Sequence, residues 1–311
     1  MFTLVKKMTH KPLTLPTTPT HYSLPRLGII RLEGEERVKY LHSQVTCDVQ
    51  SLQPGQHCLG GHCDPKGKLW NAFHLLALEH ALYLIAPQDL FPKALAELRK
   101  YAVFSKVTIT DVSAEHALSG VTGNGTDQWM ANHGIQDGTL KNGHLSLQLA
   151  SDRWILIDAI PLLAELPQGE TADWWAMEIL AGQPIMSAVH QGEYIPQMLN
   201  LQALGGISFR KGCYTGQETV ARAKYRGANN RSLFILQGQA QVPLKLGATL
   251  ELQLGEHWKR IGSVIDLWQK GEHVLLTAVL PQELEPSAIL RFKEDEHSRL
   301  RLLPLPYALN D

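Results

Sequence analysis

The alternation of apolar and polar positions divides the chain into recognisable elements from about residue 27 onward. Leu27 to Leu32 reads as a strand, and the spacing of Val38, Leu41 and Val45 predicts a helix over Glu33 to Gln44. Between Gly60 and Leu78, apolar runs broken by Gly60-Gly61 and by Asp64-Pro65-Lys66-Gly67 predict a hairpin whose second arm resumes at Leu69. Ala81 to Ala86 is a further strand, Pro92 to Tyr101 a helix with Leu95 and Leu98 inward, and Phe104 to Thr110 a returning strand. Strand–helix–strand–strand–helix–strand is the order of a ferredoxin-like unit.

A second unit of similar grammar follows. Its strands are Ala117 to Val121, Leu145 to Leu149 and Trp154 to Ile157, with helices near Gln128 to His133 and Ala172 to Ala181. The Gly123-Asn124-Gly125 turn lacks both a full dinucleotide fingerprint and the Lys-Ser/Thr of a P-loop, so it is not read as a nucleotide site. After Asn230 the texture changes to five short apolar runs starting near Ser232, Thr249, Arg260, Val274 and Ala288, separated by turns at Gly247, Gly255, Gly271 and Pro281. That spacing predicts a small antiparallel barrel. The expected class is α+β: an arm over 1–25, ferredoxin-like units over 26–112 and 113–229, and a β-barrel over 230–311. The arm is expected to be flexible because residues 9 to 25 hold Thr, Pro and His with no period.

Composition narrows the setting. With 311 residues, 44% hydrophobic and 19% charged, the chain has enough apolar material for more than one core. A formal charge of −1 gives no support to wholesale nucleic-acid binding. Four cysteines, Cys47, Cys58, Cys63 and Cys213, do not form a secreted disulfide framework. No signal peptide or membrane-length run is present, so a cytoplasmic protein without membrane contact is expected.

Candidate chemistry concentrates in one stretch. Thr215 and Glu218 have the spacing of a capping box, predicting a helix that starts at Thr215. Cys213 then precedes a helix N-terminus, with Arg210 and Lys211 on its other side, an arrangement that favours a thiolate. Gly212 and Gly216 bracket the cysteine and suggest a close backbone approach. A buried structural cysteine in a tight turn is the alternative. From Arg210 to Arg231 there are six cations, Arg210, Lys211, Arg222, Lys224, Arg226 and Arg231, against one acid, Glu218. Arg222 and Arg226 share a face if the helix persists, which suits an anion such as a polyglutamate tail, a phosphate or an RNA backbone. An ordinary solvated helix face is the other reading, since no aromatic interleaving marks an RNA platform.

Lys211-Gly212-Cys213-Tyr214-Thr215-Gly216-Gln217-Glu218 resembles the signature of YgfZ proteins, the folate-binding, tRNA-modification and iron–sulfur maintenance branch of the aminomethyltransferase (glycine-cleavage T-protein) superfamily. Its flanks, Pro196-Gln197, Asn200-Leu201, Leu204 to Phe209 and Ala221 to Lys224, are similar too. The resemblance implies folate (tetrahydrofolate or a derivative) as cofactor, with Trp174 at the position of a folate-associated tryptophan. A second such tryptophan falls on Leu27 here, and an acid common before the helix-ending Ala-Gly is replaced by Leu180. On the sequence alone, core packing of Trp174 and Trp175 is the plainer reading. In the folate reading Trp175 pairs inward with Ile179 and leaves Trp174 on another edge with Glu178 one turn below, an aromatic face beside a carboxylate that suits a flat, amine-bearing ring such as a pterin.

T-proteins place a catalytic aspartate in the hairpin strand, where this chain has Asn71 and Ala72. An amide cannot relay a proton as a carboxylate does, so glycine-cleavage activity is not expected. His57, Cys58, His62 and Cys63 have donors enough for zinc but no paired knuckle, and no metal is assigned. A lone site cysteine cannot hold a cluster that takes four thiolates. The expected function is therefore folate binding in support of iron–sulfur enzymes and, through them, of tRNA methylthiolation, with Cys213 as reactive thiol. Folate-dependent aminomethyl transfer and direct tRNA binding through the basic helix are the alternatives.

Overall fold

The computed structural model describes residues 13, 15–138, 144–227 and 229–309. Its strands and helices run β1 (Thr20–Ser23), β2 (Leu27–Glu33), α1 (Arg37–His42), β3 (His57–Cys63), β4 (Leu69–Ala77), β5 (Ala81–Pro87), α2 (Phe91–Lys100) and β6 (Thr108–Asp111). There follow β7 (Leu118–Thr122), α3 (Thr126–Asn132), β8 (Leu145–Ala150), β9 (Arg153–Ile157), α4 (Ile160–Leu163), α5 (Thr171–Leu180) and α6 (Gln217–Tyr225). The last part is all strand: β10 (Arg231–Gln239), β11 (Thr249–Leu254), β12 (His257–Lys270), β13 (His273–Pro281), β14 (Leu290–Phe292) and β15 (Asp295–Leu303).

These strands form two open sheets of ferredoxin-like type, β3-β4-β5-β2-β6 and β1-β7-β9-β8, and a closed barrel β10-β13-β12-β11-β14-β15. Strand β2 explains how the sheets pack. Leu27 and Ile29 join the apolar cluster shared with Leu147, Ile155, Ile157 and Trp174 of the second unit, while Ile30 and Leu32 face a cluster with Leu41 of α1 and Leu98 of α2. Period-two alternation thus gives one strand to two cores. The second of these cores continues into Val220 of α6 and Leu233, Ile265 and Val279 of the barrel, so the signature helix is wedged between the first sheet and the barrel.

Several expected elements shift. Thr20–Ser23, inside the stretch read as an arm, pairs antiparallel with Ser119–Thr122 as an edge strand; residues 1–12 and 14 of that arm lie outside the described residues. Gly60 and Gly61 are not a turn but the middle of β3, where Gly60 lies opposite Phe73 and Gly61 opposite Ala72. The first helix is shorter than its apolar spacing suggests because Glu33 completes β2 and Gly34 turns the chain at φ +111°. Phe104 is in a 3₁₀ turn and 87% exposed. The barrel has six strands rather than five, β15 closing it against β10.

Candidate functional site

The signature loop is laced to the segment between α1 and β3 along its whole length. Ser208 N donates to Thr46 O at 2.9 Å, and Thr46 Oγ1 donates to Gly206 O at 2.6 Å. Further on, Thr215 N donates to Ser43 O at 3.2 Å. Between these ties, Lys211 Nζ donates to the carbonyls of His42, Val45 (2.7 Å) and Cys47 (2.9 Å) and lies 5.0 Å from the Tyr214 ring. Burial pushes the Lys211 ammonium down to about 8, and Tyr214, buried beside it, has its phenol raised by desolvation. Cys213 is left exposed at the outside of this anchored loop.

The helix after the loop does not begin as a capping box. It starts at Gln217 with Gly216 as its N-cap in the left-handed region, φ +84°, and Thr215 makes no capping bond. Glu218 instead pairs with Arg222, one turn on, at 2.5 Å. Gly216 is required twice over, since a Cβ there would also lie 2.5 Å from the Asp64 carbonyl of the β3–β4 turn. Gly212 makes no such approach, for a Cβ added to it meets nothing within 4 Å. Lys211, expected beside the thiol, is committed to backbone carbonyls.

The cation group also divides. Arg231 donates to the Ile261 and Val279 carbonyls and belongs to the barrel. Arg226 caps α6 rather than continuing the Arg222 face. Arg210, Lys224 and Arg226 are exposed, and an aromatic pair that the sequence did not reveal accompanies them. Phe209 and Tyr225 meet edge to face at 6.1 Å, Lys224 Nζ is 4.2 Å from the Phe209 ring, and Tyr225 is 69% exposed.

Trp174 is a core residue. It is 1% exposed, 5.9 Å from the Tyr22 ring, and lies over Gly120, where a Cβ would come within 2.3 Å of it. Trp175 is buried as well, under the Arg26 guanidinium at 4.9 Å, and Arg26 in turn pairs with the buried Asp266 of the barrel at 2.9 Å. Trp174, Leu27, Ala72, His74 and Glu178 line one cavity, but it measures about 40 Å³, whereas ligand pockets run to roughly 300–1,000 Å³. No pterin fits there as the side chains stand. Glu178, the carboxylate in that wall, is buried against Arg153 at 3.0 Å, with desolvation raising its pKa and the arginine opposing the rise. Ala72 lines the cavity and Asn71 does not; Leu180 borders a different cleft, between α5 and the barrel.

Leu27 also borders a larger cleft of about 520 Å³ between the two sheets, whose polar lining includes His21, Gln88, His116, Ser119 and Gln168. His116 is oriented there by Asp158, at 2.7 Å from Nδ1, and Asp158 holds φ +60° while also accepting from Ala117 N at 2.9 Å. None of Arg210 to Arg226 lines this cleft or the Trp174 cavity, so the structure keeps the signature thiol and the expected folate residues apart.

The four putting-together donors of the zinc pattern diverge. His57 pairs with Asp137 at 2.9 Å, Cys58 is a partly buried free thiol, and His62 and Cys63 are buried in the sheet. Among the described residues no three His, Cys, Asp or Glu side chains converge as a metal site.

Two ferredoxin-like sheets and a closed barrel define the class. The crystal structure of glycine cleavage system aminomethyltransferase T from Bartonella henselae superposes with a TM-score of 0.70 over 95% of this chain and 88% of that one, at 16% identity, and so shares the fold. The sequence profile of the YgfZ β-barrel domain matches residues 229–295. The tRNA-modifying protein YgfZ of Serratia proteamaculans (strain 568) is 40% identical, covering 96% of this chain and 94% of its own, and that of Vibrio atlanticus (strain LGP32) 39%, covering 91% and 90%. The chain belongs to the YgfZ family.

Proposed function

We propose that this chain is a cytoplasmic folate-binding protein that supports tRNA modification indirectly, by maintaining iron–sulfur enzymes, with Cys213 as its working thiol. The observation that carries the reading is the presentation of that thiol: an exposed cysteine on a loop fixed by Lys211 before it and by Gly216 after it. Rigid presentation of a reactive group suits contact with a partner protein rather than enclosure of a small substrate. The relatives' name, tRNA-modifying protein, supplies the pathway. Any cluster contacted there would take its remaining ligands from the client.

Folate is assigned to the cleft beside Leu27 rather than to the Trp174 face. The cleft has the volume, and His116, His21, Gln88 and Gln168 provide donors and acceptors for a pterin or a glutamate carboxylate. Tetrahydrofolate titration tests it. Saturable binding weakened by His116→Ala supports the assignment, and binding unchanged by His116→Ala contradicts it.

Direct tRNA contact is a second reading, favoured by the Phe209–Tyr225 pair among exposed cations, since base stacking on an aromatic and phosphate pairing go together. It requires salt-dependent tRNA affinity that falls in Tyr225→Ala and Arg226→Ala.

A further inference from the structure

The cleft beside Leu180 holds about 490 Å³ between the end of α5 and the outer face of the barrel, within the roughly 300–1,000 Å³ of ligand pockets. It shares no lining residue with the Leu27 cleft and includes none of the Cys213 loop. Strand register sets its chemistry. Gln237 of β10 lies opposite Arg301 of β15 on one side and Leu275 of β13 on the other, and Leu275 lies opposite Trp268 of β12. One row therefore runs Arg301–Gln237–Leu275–Trp268 across the barrel wall, with Arg299–Gln239–His273 as the row beside it. Residues in register share a face of the sheet, and the intervening Leu236, Val274 and Leu300 belong to the barrel core.

The two ends of that row differ in kind. Trp268 and Leu275 are buried and pack with Ile179 and Leu180 of α5, whereas Arg299 and Arg301 are exposed. Neither guanidinium meets a carboxylate in the cleft, which no Asp or Glu lines. Arg301 Nε donates to the Gln237 amide oxygen, turned to face it, at 2.7 Å, and Arg299 Nη1 donates to the carbonyls of Glu296 and Ser298 at 2.9 and 2.7 Å. These partners are neutral and leave both charges uncompensated. Residues 1–12, which precede Leu13 at the edge of the cleft, carry Lys6, Lys7 and Lys11 and no acid, so they offer no counter-charge either. Paired cations above an apolar floor match an anionic head with an apolar tail.

We propose that this cleft binds a single-chain amphiphile with an anionic head, a medium-chain carboxylate or its phosphate-headed counterpart. The head lies at Arg299 and Arg301, and the tail runs over Leu275 to Trp268 beneath Leu180. Gln237 belongs to the head end, because its amide is already engaged by Arg301. Three interstrand steps separate Arg301 from Trp268, about 14 Å in all, the reach of an extended chain of roughly ten carbons. The site stands whether or not the Leu27 cleft takes folate, since the two have no residue in common.

The test is calorimetric titration of the full chain with decanoate, decyl phosphate and decyltrimethylammonium, which share a tail and differ in the head. One equivalent of decanoate or decyl phosphate should bind, the tighter of the two naming the head, and the cation should bind about tenfold more weakly or worse. Replacing both arginines, Arg299→Gln with Arg301→Gln, should weaken the anion by a similar factor. Decanoate brominated at its far end should quench tryptophan fluorescence, and Trp268→Phe should remove most of that quenching. No binding of either anion, equal binding of the cation, or quenching undiminished in Trp268→Phe would each overturn the proposal. The comparison of heads on the unaltered chain decides even if a variant fails to fold.

Discussion

Lys211 Nζ donates to the carbonyl oxygen of Cys47 at 2.9 Å, joining the signature loop to the segment that enters β3 through one half-buried cation. Two further carbonyls, of His42 and Val45, complete the cradle. Lys211→Met keeps the length of the stem but leaves three acceptors without their donor. A loss of about 2–3 kcal/mol is expected, read as a lower denaturation midpoint. Lys211→Arg should not restore it, because a planar fork does not match three carbonyls converging on one nitrogen. A midpoint equal to wild type for Lys211→Met would contradict the anchoring role.

Trp174 and Gly120 form a matched pair. Gly120→Ala forces a methyl into the indole and should cost about 1–3 kcal/mol, and Trp174→Ala, which empties a fully buried site, about 3–5 kcal/mol. Gly120→Ala combined with Trp174→Phe should lose less than the sum of the single changes, a coupling that thermal or urea melts measure directly. Strict additivity would mean that the two do not pack as described.

Burial pushes His62 down to about 4, against an ordinary value near 6.5. Between these values the unfolded chain binds the proton and the folded one does not, so stability falls as pH drops. The contribution is complete above 6.5 and up to about 3 kcal/mol is lost by pH 4. His62→Leu should flatten the decline of melting temperature between pH 7 and 4.5. An unchanged slope would place the acid sensitivity elsewhere.

Asn71 is 1% exposed, lies opposite His62 in the sheet, and has no hydrogen-bond partner for either amide atom among the described residues. Asn71→Asp puts an acid into the hairpin strand but buries an unpaired carboxylate, at a cost of about 3 kcal/mol or more. The variant should melt earlier and gain no tetrahydrofolate-dependent glycine cleavage. Measurable aminomethyl transfer by it would show that the position faces the ligand after all.

How far the sequence carries can be seen at particular residues. Leu27 to Leu32 was legible because a strand shared by two cores is apolar on both faces, and the barrel because its glycine turns recur. Thr20–Ser23 was not, since a four-residue edge strand with three polar positions has no apolar period and exists only through β7. Asp295–Leu303 hid for a similar reason: Arg299 and Arg301 alternate with core residues and mask the run. The Thr215–Glu218 spacing fits a capping box, but Gly216 takes the cap because the β3–β4 turn leaves no room for a side chain there. Cys213 and Lys211 were found by motif, while the role of Lys211 as an anchor depends on contacts across more than a hundred residues. The folate expectation on Trp174 met a packed core, and no local pattern distinguishes a buried tryptophan from a ligand-facing one.

The most direct test of the account is complementation of a strain lacking this gene, with tRNA methylthiolation as the readout, by wild type, Cys213→Ser and Cys63→Ser. Cys213→Ser is expected to accumulate as folded protein yet fail to restore methylthiolation, while Cys63→Ser, altering a cysteine 1% exposed, restores it wherever the protein folds. Full restoration by Cys213→Ser would contradict the claim that the anchored loop exists to present a working thiol.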